Sequence, residues 1–136
     1  MGTWATHAFG NDYAQDWAED LQETRNMDAV ENTLDTALDN GAEMLEAPYA
    51  AEALVAIEVI ARLQGHWGLR DDDTEILDLW IAEHPQRART DLAEKAHRVI
   101  ARILSEQSEL RQLWAETEHY DDWRAAVEEL KGRVSL

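Results

Sequence analysis

An all-α fold, a single compact bundle of about six or seven helices, is what this 136-residue sequence predicts. Three observations carry that prediction. The stretch Ala47–Gln64 is apolar around nearly its whole circumference when wound as a helix: Leu54, Ile57, Ala61, Ile60, Ala53, Ala56, Leu63, Val59 and Val55 leave only a narrow polar stripe. Most of the remaining chain repeats apolar residues at helical spacing between capping residues. No period-two run of β-branched residues occurs anywhere.

A helix that is apolar all round is a buried one, so Ala47–Gln64 is expected at the centre. Pro48 fits its first turn, where a missing N–H is not needed, and Gly65 fits the residue just past its end. The length approaches that of a membrane span, but Glu52, Glu58 and Arg62 interrupt it and its flanks are acidic.

In chain order, Gly2–Gly10 has no helical period and carries Trp4, His7 and Phe9, which suits a short extended arm (residues 1–10) whose aromatics pack on the helices. Asn11 or Asp12 caps a first helix to about Arg25, with Ala14, Trp17, Ala18 and Leu21 inward. Asp12 and Gln15 have capping-box spacing. A second helix runs from about Asp28 to Asn40, with Asp28 and Glu31 at capping-box spacing, Gly41 as its stop, and Val30, Leu34, Ala37 and Leu38 on its apolar face. A link over Ala42–Glu46 contributes Met44 and Leu45 to the core.

After the central helix, residues 66–70 form a loop, and one of Asp71, Asp72 and Asp73, most simply Asp73, caps a fourth helix to about His84. Ile76, Leu77, Trp80 and Ile81 face inward there, and Pro85 ends it. A fifth helix from Thr90 or Asp91 to about Ser105 buries Leu92, Ala93, Ala96, Val99, Ile100 and Ile103. Lys95, Arg98 and Arg102 lie on its outer side, with Arg87 and Arg89 just before it. This basic concentration is expected beside the acidic first or second helix, or facing that surface across a dimer. Ser108 caps a sixth helix, and a last one spans about Asp121–Lys131, with Trp123, Ala126, Val127 and Leu130 inward and Gly132 after it. With no repeat and no long linker, residues 1–136 make one domain.

The charge narrows the function classes. Twelve basic against 29 acidic residues give −17. Met1–Glu46 holds eleven acids and one arginine, whereas Arg87–Leu136 holds ten acids and nine bases. An acidic front argues against nucleic acid or an anionic membrane as partner, because phosphates would be repelled. It leaves a solvated surface or attraction to something basic. The absence of cysteine excludes disulfides and thiolate metal sites. The opening Met1–Thr6 fits the loose myristoylation pattern, but nothing basic follows to supply a second anchor, and a cytoplasmic protein is expected.

Several constellations carry candidate chemistry. Glu58 and Arg62, one turn apart, form the polar stripe of the central helix. They read as a structural ion pair that also tethers the arm; the competing reading is a half-buried carboxylate acting as general base or metal ligand. Glu94/His97 and Glu116/His119 have the Glu-x-x-His spacing of di-iron bundles, but the core direction of the fifth helix aims Glu94 and His97 away from the bundle centre and Glu116 and His119 sit at a helix end, so no metal or other cofactor is expected. Asp71-Asp72-Asp73 lacks the alternating ligands of a calcium loop. No nucleophile elbow or phosphate-cradling loop occurs, and the six tryptophans fall at core phase or in the arm, as packing residues.

The first helix is different in kind. Asp12/Asp16, Asp16/Asp20 and Glu19/Glu23 are like-charge pairs one turn apart, each costing a few tenths of a kcal/mol. Solubility explains such a face, and so does docking of a cationic protein.

The opening Met1-Gly2-Thr3-Trp4, Phe9-Gly10-Asn11-Asp12, Ala14, Asp16-Trp17 and Asp20-Leu21 resembles the signature of the bacterial family called domain of unknown function 4259. The middle, Leu45-Glu46-Ala47-Pro48 with Glu52-Ala53, Ala56, Glu58-Val59 and Ala61, is similar to it, as is the end, Ser108-Glu109-Leu110, Leu113-Trp114, Trp123, Leu130 and Arg133. Ala5 and His7 stand where that family usually has glycine, which alters the arm. The resemblance implies a small helical bacterial protein and no activity.

The expectation is therefore a non-enzymatic protein-binding module, an immunity or inhibitor protein for a basic partner such as a co-encoded toxin, as a monomer or weak homodimer. Its partner-binding residues are Asp12, Asp16, Glu19, Asp20, Glu23, Asp71, Asp72 and Asp73, with Glu58 and Arg62 structural. The alternatives are an enzyme or metal protein centred on Glu58 and a homo-oligomeric structural protein.

Overall fold

A computed structural model describes residues 8–24, 26–39, 43–68, 70–87 and 89–136. Seven helices lie among them: α1 (Asp12–Leu21), α2 (Asp28–Leu38), α3 (Ala47–Leu63), α4 (Glu75–Glu83), α5 (Thr90–Ile103), α6 (Glu109–Ala115) and α7 (Tyr120–Arg133). No strand occurs among the described residues, and the all-α bundle stands. None of these helices is long and apolar enough to cross a membrane. Trp4, His7, Arg25 and Gly41, which figured in the expected arm, first helix and second helix, lie outside the described residues.

The central helix is where the sequence places it. Every residue from Ala53 to Arg62 is buried, and α3 packs against all six other helices. Its alanines, among them Ala50, Ala53, Ala56 and Ala61, let neighbours approach closely while Leu54, Ile57 and Ile60 fill the space between them. Around α3, α4 pairs with α1, α2 with α5, α5 with α7, and α7 with α6. Gly65 ends α3 with φ +87°, a conformation that favours glycine, as expected for the residue past a helix end.

The start of α3 is capped from a distance. Glu46 offers no side-chain cap; instead the Glu109 carboxylate of α6 accepts from the Ala47 N–H at 2.7 Å. A carboxylate there also gains from the helix dipole. The same junction is closed by the backbone: the Leu45 N–H donates to the Gln107 carbonyl at 2.7 Å and the Glu109 N–H to the Leu45 carbonyl at 2.9 Å. Leu45 is buried in consequence, but Met44 is 41% exposed and is no core residue, a correction to the expectation.

Asn11 caps α1, its Oδ1 accepting from Ala14, and Ser108 caps α6 by accepting from Arg111. Other boundaries differ from expectation. The first helix ends at Leu21, short of the expected Arg25, where the Gln22 N–H closes its last turn on Glu19. Asp28 is already helical and makes no cap; the preceding Asn26 accepts from its N–H. Asp73 is not the cap of α4 either. Asp71 Oδ1 accepts from the Asp73 N–H, so the three aspartates form a turn of their own before Thr74. Gly132 does not stop α7, which runs one residue further and delivers Arg133. Within the helices, Ile76 and Ala126 are only partly buried, while the six inward residues expected of α5 are all buried.

Candidate functional site

Two regions hold the residues singled out by the sequence: the buried polar stripe on α3, and the acidic surface of α1 with residues 71–73.

Glu58 is buried rather than half-buried, at 5% exposure. It pairs with Arg62 as expected, with Arg62 Nε 3.4 Å from Glu58 Oε2. Its closer partner is one the sequence reading missed. Arg133, at the end of α7, grips both carboxylate oxygens: Nη2 donates to Oε1 at 2.6 Å and Nη1 to Oε2 at 3.0 Å. Such a bidentate pair is the strongest form of this contact. Arg133 also donates through Nε to Glu129 at 2.6 Å and through Nη1 to the His66 carbonyl at 3.3 Å, and His66 Nδ1 lies 2.6 Å from the Arg133 carbonyl. Burial alone would lower the Arg133 pKa, but the hydrogen bonds to Glu58 and Glu129 outweigh it and raise the value.

A second acid completes the network on the far side of Arg62. Asp78 of α4 places Oδ1 3.4 Å from Arg62 Nη1, while Thr74 Oγ1 donates to Asp78 Oδ2 at 2.8 Å. Two acids and two arginines thus balance in the interior. Burial pushes the Arg62 guanidinium below its ordinary pKa, against the pull of Glu58 and then Asp78. Phe9 and Trp67 flank that guanidinium, with ring centroids at 5.3 Å and 5.4 Å, and Arg70 lies 4.3 Å from the Trp67 centroid. Trp67 lies in a loop, as expected, but it is 37% exposed and engaged with two cations, and is not the core-packing residue that was expected of every tryptophan outside the arm.

Gly68 shows how tightly the loop closes on this network. A Cβ there would meet the Arg133 guanidinium at 2.5 Å. A free arginine would swing away, but this one is held by Glu58 and Glu129. Gly68→Ala is expected to destabilise the fold by about 1–3 kcal/mol, as overpacking does. In an Arg133→Ala background the same change should have almost no effect, which urea unfolding of the four proteins measures.

The acidic surface is built differently. Asp12, Asp16, Glu19 and Asp20 are exposed on α1 and Glu23 in the turn that follows it, and Asp71, Asp72 and Asp73 are exposed beside them. Gln15 Nε2 donates to the Asp73 carbonyl at 3.1 Å and Gln22 Nε2 to the Ile76 carbonyl at 3.3 Å, so α1 and the start of α4 lie side by side. The two acidic groups are therefore neighbours in space. None of the eight carboxylates forms an ion pair among the described residues. Leu79, 52% exposed, adds an apolar spot on α4, in a shallow depression shared with Asp71, Asp72 and Glu75.

Two of the three acids of α2 are treated otherwise. Arg89 pairs with Glu31 at 2.7 Å, and Lys95 with Asp35 at 2.7 Å. The basic fifth helix thus lies beside the acidic second helix of its own chain, the first of the two placements expected for it. The Glu-x-x-His spacings come to different ends: Glu94 is exposed while His97 Nε2 is 2.8 Å from the Val134 carbonyl, and Glu116 and His119 are both exposed. No group of three or more His, Asp or Glu side chains among the described residues is placed to hold a metal ion.

The model of the family described as domain of unknown function (DUF4259) matches residues 2–126 of the chain. The chain belongs to that family. No curated protein and no solved structure matches it. Arg133, the closest partner of Glu58, lies beyond the residues that this DUF4259 match covers, and Glu58, Arg62 and Asp78 lie within them.

Proposed function

We propose that this DUF4259 protein is a non-enzymatic binding module, a cytoplasmic bacterial immunity or inhibitor protein that engages a basic partner such as a toxin. Its docking surface is the face formed by α1 and residues 71–73. One observation carries the reading: eight exposed carboxylates lie on two neighbouring segments without an ion pair among the described residues, whereas Glu31 and Asp35 of α2 are paired with Arg89 and Lys95. Neutralising α1 in the same way would relieve its like-charge pairs. An uncompensated field instead accelerates encounter with a cationic protein and rejects anionic ones.

The catalytic reading of Glu58 has less support. Glu58 is buried with both oxygens engaged by Arg133, whereas a general base must come within hydrogen-bond reach of the substrate proton it takes. The homo-oligomer reading loses Arg89 and Lys95 of its basic helix to contacts within the chain.

The test is charge reversal. Asp16→Lys with Asp20→Lys is expected to leave the unfolding midpoint nearly unchanged, because both sites are exposed, and to weaken the partner by tenfold or more. Retained binding by this variant at moderate salt would overturn the proposal.

A further inference from the structure

A cleft between α2 and α3 lies next to the acidic surface and has no part in the buried network. It encloses about 160 Å³ and is lined by Asn32, Thr33, Thr36, Tyr49 and Glu52. We propose that this cleft receives an arginine side chain of the basic partner, its guanidinium set on the Glu52 carboxylate and against the Tyr49 ring. The inference rests on the binding-module reading and names the chemistry of its anchoring contact.

Size comes first. Small-molecule sites usually enclose roughly 300–1,000 Å³. This cleft is well short of that and suits one long side chain. The lining then selects its charge. Glu52 is partly buried on α3 and makes no ion pair among the described residues. Burial, and then the nearby Asp20 carboxylate of α1, raise the Glu52 pKa above the ordinary carboxylate value. A cation beside Glu52 offsets both effects, because it favours the ionised carboxylate that burial and Asp20 disfavour. Asp20 also belongs to the acidic face, so the cleft continues that face.

The remaining groups favour guanidinium over ammonium. A carboxylate offers two coplanar acceptors to a planar fork, and a phenol ring offers a face for it to stack on. Tyr49 is 41% exposed at the mouth of the cleft. Thr33 Oγ1 already accepts from the Trp17 indole N–H at 2.8 Å, and Thr36 Oγ1 donates to the Asn32 carbonyl at 2.9 Å. The Thr36 hydroxyl therefore spends its proton on Asn32 and keeps its lone pairs as acceptors for further N–H groups. This chain treats its own arginine similarly, holding Arg70 over Trp67 with Asp78 3.8 Å away.

The test titrates the ¹⁵N-labelled protein with an acetylated, amidated peptide of six glycines around one arginine. The same peptide with citrulline or lysine in place of arginine serves as comparison. The expected result is saturating shifts centred on Asn32, Thr33, Thr36, Tyr49 and Glu52 with the arginine peptide. Lysine should bind at least threefold more weakly and citrulline not at all, and Glu52→Gln should abolish the arginine response while leaving the remaining spectrum in place. Shifts along α1 and residues 71–73 that bypass the cleft, or that survive Glu52→Gln, would overturn this inference and leave the acidic-face reading intact. No shift with any peptide would also overturn it, and the charge-reversal experiment then judges the wider reading on its own.

Discussion

Arg133→Ala is expected to destabilise the protein by about 3–5 kcal/mol, the range for removing one partner from a buried ion pair. The reason lies in what stays behind. Glu58 remains buried on α3, with only the 3.4 Å contact to Arg62 and no second guanidinium at its oxygens. The C-terminal end of α7 loses its hold on the loop as well, because Arg133 also donates to the His66 carbonyl. Urea unfolding should show a lower midpoint with little change in slope, since the surface exposed on unfolding is nearly the same. Glu58→Ala should cost a similar amount, and the double variant less than the sum, with a coupling of about 0.5–3 kcal/mol. A cost below about 1 kcal/mol would mean that the pair is solvated and behaves as a surface salt bridge.

Trp80→Ala is expected to cost about 3–5 kcal/mol, in the range of a large buried aromatic truncated in a core. Trp80 is fully buried, and its indole N–H donates to the Thr24 carbonyl at 2.9 Å. It therefore fixes α4 against the segment that follows α1. That contact matters for function because it holds residues 71–76 beside α1, where Gln15 and Gln22 reach across. The alanine variant should show faster amide exchange over α4 than over α5 or α7. Trp80→Phe keeps most of the packing and leaves the Thr24 carbonyl without its donor, at a smaller cost of about 1–3 kcal/mol. Equal exchange rates across all helices in Trp80→Ala would show that Trp80 supports the fold as a whole and not this junction.

Much of this architecture is legible in the sequence because it is local. Helical periodicity is complete within α3 and α5, so the central helix and the six inward residues of α5 can be read from windows of 14–18 residues. The acidic face of α1 is equally local. What is not legible depends on contacts between distant residues. Glu58 and Arg133 are 75 positions apart, so no such window contains both, and Arg62 and Asp78 lie on different helices, so no helical period relates them. Gly132 reads as a stop, yet α7 continues through it and Arg133 reaches Glu58; tertiary pairing outweighs the propensity of one glycine. Capping-box spacing at Asp28 and the run at Asp73 mislead for a related reason. A cap needs a non-helical backbone at that residue and a free side chain, and spacing specifies neither. Trp67 has no helical phase at all, so only the two arginines around it reveal its role.

The one measurement closest to the central claim is a salt ramp. The immobilised protein is exposed at low salt to lysate of cells that express both it and the products of neighbouring genes, beside a column of the Asp16→Lys, Asp20→Lys variant. A basic protein is expected to leave the first column at a defined salt step and not to bind the second. Nothing retained, or a protein held equally by both columns regardless of salt, would contradict it.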